Sequence, residues 1–336
     1  MRRLILLICF HLGLATGFSQ TLPIFDSAYV VHFQRTNLVV RWKAAKRPWP
    51  KTLWTYKIVP THFSPAAISN VTALADFGGY EKRDYGRNGF FLGNWYGTPQ
   101  LRVSFVAGEI QFDNRVSERN YSPTNLAKDV PGTNRLLQLT TNFLPKVGIS
   151  LGEVARRANG QLKIGWHDND YTEYRTDNGN VTNIEYRTVW VWRALDGVEN
   201  PGMNTDCQIS FGEHDKVVQI RLEWPSVERE TQFAAATPEK IIQWIREGKA
   251  AQSRVFTSPG GAEIPIDWSK VKSLTITNAE AKYWGPSLRD REFVNQPLFP
   301  AWVRPDARLQ GIVNTGTTNL NVQILCPVID ESKPLN

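Results

Sequence analysis

One short motif in this sequence contains a residue that could act as a nucleophile. Gly148-Ile149-Ser150-Leu151-Gly152 fits the G-x-S-x-G pattern, in which the serine needs a strand before it and a helix after it to expose its hydroxyl. Here the apolar spacing before Ser150 predicts a helix instead. We therefore interpret the pentapeptide as a connection between helices and predict no catalytic serine.

Paired carboxylates are a second source of chemistry. Two carboxylates on either side of a glycosidic bond act as acid and base in sugar hydrolysis. Glu81 with Asp84, or Asp290 with Glu292, would be pairs of this type. Because carboxylates at such spacing are commonplace on protein surfaces, we predict no catalytic residue and a protein that is not an enzyme.

A cation site would need several ligands close together. The run His167-Asp168-Asn169-Asp170 is followed by Glu173, which stands at the sixth position, where a calcium loop needs glycine. We therefore predict a solvated turn here. The other histidines lack a second ligand at helical spacing, so we predict no metal site and no cofactor.

The segment Arg41–Lys51 concentrates positive charge. It carries five cations and two tryptophans in eleven residues and no acidic residue. Cations attract anionic polymers, and a tryptophan ring offers a face for stacking. The segment is therefore predicted to contact an anionic partner; the alternative is a solvated linker whose tryptophans fold back onto the core. The predicted binding residues are Arg41, Trp42, Lys43, Lys46, Arg47, Trp49 and Lys51.

Composition and the first residues indicate an exported globular protein. The 336 residues are 41% hydrophobic and 11% aromatic, which is enough to bury a core and excludes collagen, a coiled coil and wholesale disorder. Residues 1–20 have a basic start, a short apolar run and small residues, the order of a secretory signal peptide. We expect cleavage, export to the periplasm or the exterior, and no transmembrane segment in the mature chain.

The net charge bears on the binding partners, and the cysteines bear on a disulfide. The net charge of +7 is about +5 without the leader arginines, which is low for a nucleic-acid binder, so we predict no nucleic-acid partner. The mature chain keeps Cys207 and Cys326, which one disulfide could join in an exported protein. The alternative is two buried thiols.

Three predicted helices mark the local organisation. Ser64-Pro65 and Thr237-Pro238 each have the form of an N-cap followed by proline at the first helical position. Between them, apolar residues from Leu136 to Val147 recur at helical spacing, and Pro145 should weaken the last turn. Alternating residues on either side of Ala107-Gly108 predict a β-hairpin.

The strands between the helices are predicted to turn their tryptophans inward. Trp190, Trp192, Ile220, Leu222 and Trp224 occupy alternate strand positions, so we place them on one sheet face. A helix near 134–147 or 238–248 should cover that face.

The predicted fold class is α+β, with two or three modules that each pack one helix on a curved antiparallel β-meander. The predicted divisions are 1–20 signal peptide, 21–50 N-terminal lead-in with the basic linker, 51–130 first module, 131–232 second module, 233–330 third module and 331–336 tail.

Turn glycines and alternating apolar residues recur in the last two modules, in segments 194–198, 208–212, 217–224, 237–245, 275–284 and 296–303. In these segments the chain resembles extracytoplasmic PepSY-like and cystatin-like modules, such as those paired in secreted accessory regulators of bacterial cell-wall sensor kinases. The resemblance covers roughly residues 50–330. It implies a binding, inhibitory or regulatory role and carries over no catalytic residue.

Two functions follow as expectations. The first is an exported, non-enzymatic binding or regulatory protein that recognises a protein, a peptide or an anionic envelope polymer. The alternative is a secreted hydrolase or carbohydrate-binding protein that uses acidic residues and exposed tryptophans. A hydrolase should have a cleft with two carboxylates about 5–10 Å apart, whereas a binding module should have a filled core and an exposed sheet face or edge.

Overall fold

The structure is a computed structural model that describes residues 31–46, 48–75, 78, 80, 82–94, 99–114, 121–167, 171–200, 206–256, 266–285 and 302–335. The helices in these residues are α1 Pro65–Leu74, α2 Thr133–Phe143 and α3 Pro238–Arg246. The strands are β1 Val31–His32, β2 Val39–Trp42, β3 Thr52–Val59, β4 Lys82–Asp84, β5 Gly89–Gly93, β6 Gln100–Ser104, β7 Glu109–Asp113, β8 Ile164–His167, β9 Tyr171–Thr176, β10 Gly179–Ile184, β11 Arg187–Leu195, β12 Val198–Asn200, β13 Asp206–Phe211, β14 Val217–Glu223, β15 Ser226–Ala235, β16 Ala251–Phe256, β17 Ser273–Trp284, β18 Trp302–Asn314, β19 Asn319–Pro327 and β20 Ile329–Leu335.

The chain is mostly β, and the predicted α+β modules of one helix on a meander are wrong. Its strands form two nine-stranded sheets and a separate hairpin of β9 and β10. The prediction failed because it joined each strand to its neighbours in sequence, whereas the first sheet pairs strands that are far apart in sequence, such as β3 with β15 and β18 with β3.

The first sheet curves around one core. Its strand order is β1-β16-β19-β18-β3-β15-β20, and β17 joins it between β18 and a parallel β2. Leu53 of β3, Phe233 of β15 and Ile276 of β17 lie in the same buried cluster, so distant strands of the sheet face one another. Trp244 of α3 fills the same cluster, which we call the first core.

The second sheet runs β12-β11-β13-β14-β7-β6-β5-β4, with β8 beside β12 on the outer edge of β11. All of these pairings are antiparallel. Val71 of α1 and Leu136 of α2 are fully buried against it, in the second core. Two helices therefore cover one large sheet, and the predicted helix near 134–147 is one of them.

The second sheet is inserted into the first. β3 ends at Val59, which pairs with Ser226 at the start of β15, and every strand of the second sheet lies between those two residues. Leu195 and Val198, from the tip of the inserted sheet, reach into the first core. The first core therefore takes residues from both sides of the predicted divisions at 130/131 and 232/233, and the second core takes residues from both sides of 130/131. The predicted tail is part of β20 as far as Leu335.

Local signals in the sequence are confirmed where they involve neighbouring residues. The hydroxyl of Ser64 accepts a hydrogen bond from the backbone N–H of Ala67 at 3.1 Å, and that of Thr237 accepts one from Lys240 at 3.3 Å. The helix before Ser150 ends at Phe143 and continues as a 3-10 turn that contains the proline. The predicted hairpin is formed by β6 and β7.

The register predicted for β11 is wrong by one residue. Ile220, Leu222 and Trp224 are buried in the second core, but Trp190 is 37% exposed and Trp192 is half-buried. Successive strand residues point to opposite faces, so the tryptophans of β11 lie on the face turned away from the helices.

The valines between those tryptophans explain the error. Val189 pairs with Ile209, and Val191 pairs with Cys207, and all four side chains are fully buried. Compact β-branched side chains fit beneath the covering helices, and the larger rings are left outside. Arg193, two residues further along this inner face, is also buried, with only 3% of its surface exposed.

Candidate functional site

Four of the predicted binding residues line one groove on the first sheet. The groove has a volume of about 690 Å³ and runs between the basic segment and the start of α3. We call it the tryptophan groove. Its lining residues are Trp42, Lys46, Pro48, Trp49, Pro50, Lys51, Ala235, Ala236, Thr237, Pro238, Glu239 and Ile242.

Backbone hydrogen bonds hold both tryptophans in the groove. Trp42 Nε1 donates to the carbonyl of Ala45 at 3.1 Å, and Trp49 Nε1 donates to Ala236 at 2.9 Å. Their ring centroids lie 6.2 Å apart at an angle of 87°. Each ring is half-buried against the first core and lines the groove with the rest of its surface, so the rings are fixed in place before any ligand binds.

The cations near the groove are exposed. Arg41, Lys43, Lys46 and Lys51 are all exposed, and in the described part of the chain none of them forms an ion pair. Lys46 and Lys51 line the groove; Arg41 and Lys43 do not. Arg47 lies outside the described residues.

One acidic residue faces these lysines. Glu239, in the first turn of α3, lines the groove. Hydrogen bonds from its own backbone N–H and from the Thr237 hydroxyl lower the pKa of its carboxyl. The partial positive charge of the N-terminus of α3 also favours the ionised form. The groove therefore carries two unpaired ammonium groups and one carboxylate.

A second concave site lies where the inserted sheet meets the first sheet. It has a volume of about 570 Å³ and is called here the junction cleft. Residues from five separate stretches of chain form its walls. Those that carry polar chemistry are Tyr56, Thr61, His62, Ser64, Glu153, Arg193, Asp196, Trp224, Ser226 and Arg229.

A buried arginine forms one side of the junction cleft. Arg193 Nη2 donates to Glu153 Oε2 at 2.8 Å, and Nη1 donates to the carbonyl of Pro225 at 2.5 Å. Trp224 Nε1 donates to the same carboxylate oxygen at 2.9 Å. Burial lowers the pKa of Arg193, although Glu153 opposes this shift. The carboxylate of Glu153 therefore offsets the cost of removing the charged Arg193 side chain from water.

A second ion pair also lines the cleft. Asp196 Oδ2 accepts a hydrogen bond from the Tyr56 hydroxyl at 2.5 Å, and Oδ1 accepts one from Arg229. Burial alone would raise the pKa of Asp196, but these two hydrogen bonds outweigh it and hold the pKa below its ordinary value. The pKa of Tyr56 is raised by burial and by Asp196, so the phenol stays a donor.

The turn that carries Asp196 is locally encoded. Asp196 and Gly197 both have positive φ, 49° and 79°, in the two-residue link between β11 and β12. An Asp-Gly pair is a preferred choice for such a hairpin turn. This turn was part of the resemblance noted above, but its chemical role was missed, because the partners Tyr56 and Arg229 are far away in sequence.

The other sequence candidates are dispersed. Ser150 lies between two 3-10 turns, Leu144–Val147 and Leu151–Glu153, and its hydroxyl accepts a hydrogen bond from Gly152 N at 3.2 Å. A 3-10 turn, and not the strand that the serine motif requires, therefore precedes this residue. Asp84 and Glu173 are exposed. The partner positions proposed for them, Glu81 and residues 168–170, lie outside the described residues, as do Asp290 and Glu292.

Cys207 and Cys326 are free. Both are fully buried, Cys207 in the second core and Cys326 in the first core. The disulfide considered from the sequence is therefore not formed in this structure. Burial raises the pKa of the Cys326 thiol well above its ordinary value.

Comparisons with known proteins add no relative: no family model matches the chain, and no curated protein matches it at a significant level. Among the described residues, no helix is long and apolar enough to cross a membrane. The predicted leader lies outside these residues.

Proposed function

We propose that the chain is an exported, non-enzymatic binding protein that recognises an anionic envelope polymer through the tryptophan groove. The observation that carries the proposal is that Trp42, Trp49, Lys46 and Lys51 line one groove while the two ammonium groups have no acidic partner among the described residues. The resemblance to PepSY-like and cystatin-like modules stays a prediction, and the proposal does not depend on it.

Charge and shape each contribute to this binding. Exposed ammonium groups attract a polyanion over about 8–10 Å at physiological ionic strength. The two fixed rings, 6.2 Å apart, add apolar contact that salt does not screen. A polymer of acidic sugars offers both the charge and the ring faces. Glu239 opposes the attraction, so it limits the affinity.

The test measures binding of the purified chain to alginate, a polyuronate, with dextran as the uncharged comparison. Replacing Lys46 and Lys51 by glutamine should weaken alginate binding about tenfold at low salt, since each exposed charge contributes a modest and screened attraction. Lys57→Gln with Lys128→Gln is the matched control: both lysines are exposed, lie outside the groove and change the net charge equally.

A third variant should change alginate binding in the opposite direction. Glu239→Gln removes the only acidic residue among the described residues that line the groove and should tighten alginate binding at low salt. If both double variants weaken binding equally, or if dextran binds as well as alginate, the proposal is wrong. If Glu239→Gln does not change alginate binding at low salt, the charge of the ligand does not contribute to binding in this groove and the proposal also fails.

A second candidate, a hydrolase, is less well supported. The junction cleft does contain two carboxylates, Glu153 and Asp196. Each is paired with an arginine, and the lowered pKa of Asp196 suits an ionised group. A glycosidase also needs a carboxyl group that carries a proton at working pH, and no observation on Glu153 gives it that role.

A further inference from the structure

We infer that the junction cleft binds a neutral saccharide unit. This site is separate from the tryptophan groove and the inference does not depend on it. The cleft volume of about 570 Å³ falls in the range of small-molecule sites, about 300–1,000 Å³. The argument rests on three properties of the cleft: an unused buried donor, balanced charge, and neighbouring donors and acceptors.

The unused donor belongs to Arg193. This side chain lines the cleft and is only 3% exposed. Its two terminal nitrogens are occupied, but its Nε finds no hydrogen-bond partner in the described part of the chain. Buried N–H groups are nearly always paired, because an unpaired one loses its hydration without compensation. Because this nitrogen has almost no accessible surface, a ligand oxygen reaches it only if the cleft wall moves on binding.

The charges in the cleft cancel. Arg193 pairs with Glu153, and Arg229 pairs with Asp196. Each guanidinium is matched by one carboxylate, so neither an anion nor a cation gains a net attraction on entering. This balance favours a neutral ligand, in contrast to the groove, where the ammonium groups are in excess.

Together the two ion pairs still offer one acceptor and one donor. Glu153 Oε1 takes no hydrogen bond from the described residues, and this side chain is 43% exposed. Arg229 is 56% exposed and uses one nitrogen on Asp196. Two hydroxyls of one ligand match these two groups, because one donates to the Glu153 carboxylate while the other accepts from the Arg229 guanidinium. A sugar ring holds several such hydroxyls in fixed positions.

The experiment uses the intrinsic fluorescence of the full chain. The Trp224 indole donates to Glu153 inside the cleft, so a ligand on that carboxylate should change its emission. The probes are chitotetraose, maltotetraose and cellotetraose at millimolar concentration, with trialanine as a ligand that also donates and accepts hydrogen bonds. At least one tetrasaccharide should give a saturable change, and trialanine should not. Fluorescence of Trp224→Phe identifies the reporting ring.

Asp196→Asn is the decisive variant, with Asp215→Asn as its matched control. Both aspartates have positive φ, 49° and 63°, which asparagine tolerates, and both are paired with an exposed arginine. Asp215 lies outside the cleft. Asp196→Asn removes the carboxylate that holds Arg229, so the guanidinium is no longer fixed for a ligand hydroxyl. Saccharide binding should therefore weaken about tenfold, the effect of losing one charged hydrogen bond, and Asp215→Asn should not weaken it.

Thermal unfolding separates a binding effect from misfolding. The two variants should have similar melting temperatures, and if Asp196→Asn does not fold, Arg229→Gln with Arg135→Gln as control replaces the pair. Three results would overturn the inference: no saturable response to any tetrasaccharide, an equal response to trialanine, or equal saccharide binding by the cleft variant and its control.

Discussion

Asp306, on β18, should make the stability of the first sheet fall as the pH rises. Burial raises the pKa of its carboxyl to about 8, Glu331 adds repulsion, and Arg304 opposes the shift. Its register partner on β17 is Lys282, whose ammonium group is held by Glu199 at 2.8 Å. The carboxyl is therefore neutral in the folded protein under conditions where it ionises in the unfolded chain.

The sign and size of the effect follow from the two pKa values. An unfolded aspartate has a pKa of about 3.9, and the folded value is about 8, so between these values the folded state binds the additional proton. The stabilisation is fully present below about pH 4 and is lost as the pH rises through about 8. At about 1.4 kcal/mol per pH unit, the loss over this window is on the order of 5 kcal/mol.

Urea unfolding at several pH values between about 5 and 9 measures this slope. Asp306→Asn keeps the shape of the side chain and cannot ionise, so its stability should vary less with pH and should exceed that of the unmodified protein at alkaline pH. Asp330→Asn is the control, because the pKa of Asp330 is lowered by a hydrogen bond from Ser332. Parallel pH curves for the protein and Asp306→Asn would refute the reasoning.

Two further substitutions test the junction of the sheets. Glu199→Gln removes one of the two carboxylates that pair with the buried ammonium group of Lys282; Glu280 at 3.2 Å remains. The substitution should destabilise the protein by about 2 kcal/mol, the loss of a charged hydrogen bond; urea unfolding checks this, and an unchanged midpoint would contradict it. Gly108→Ala would place a Cβ 2.5 Å from the Cα of Pro225 at a φ of +63°, and should lower the melting temperature far more than Gly160→Ala, where φ is also positive but no atom lies within 4 Å. Equal losses would show that the contact with Pro225 is unimportant.

Local features of the fold were predictable because neighbouring residues determine them. The caps at Ser64 and Thr237 each need only a hydroxyl and a following proline, and both are present in the structure. The pairing of β3 with β15 was not predictable in this way. Both strands have an ordinary alternation of apolar and polar residues. No residue in β3 or β15 indicates that its partner strand lies on the other side of an inserted sheet in the sequence.

The tryptophan groove was partly predictable and the junction cleft was not. Four groove residues fall within one short basic segment, so composition alone singled them out. In the cleft, Arg193 lies on a strand whose tryptophans favoured the wrong register, and its partner Glu153 belongs to a connecting turn. The one available signal was a charged residue, Arg193, on an otherwise apolar strand face. Its role can be inferred only when the elements that cover that face are known.

The insertion of the second sheet also sets the order in which the protein can fold during synthesis. β3 leaves the ribosome long before β15, its partner, exists, and the whole of the second sheet is made in between. Because chains fold from the N-terminal side as they emerge, the inner sheet can close while the edge of β3 is still unpaired. The junction cleft is therefore completed late, when Arg229 arrives opposite a turn that has already formed.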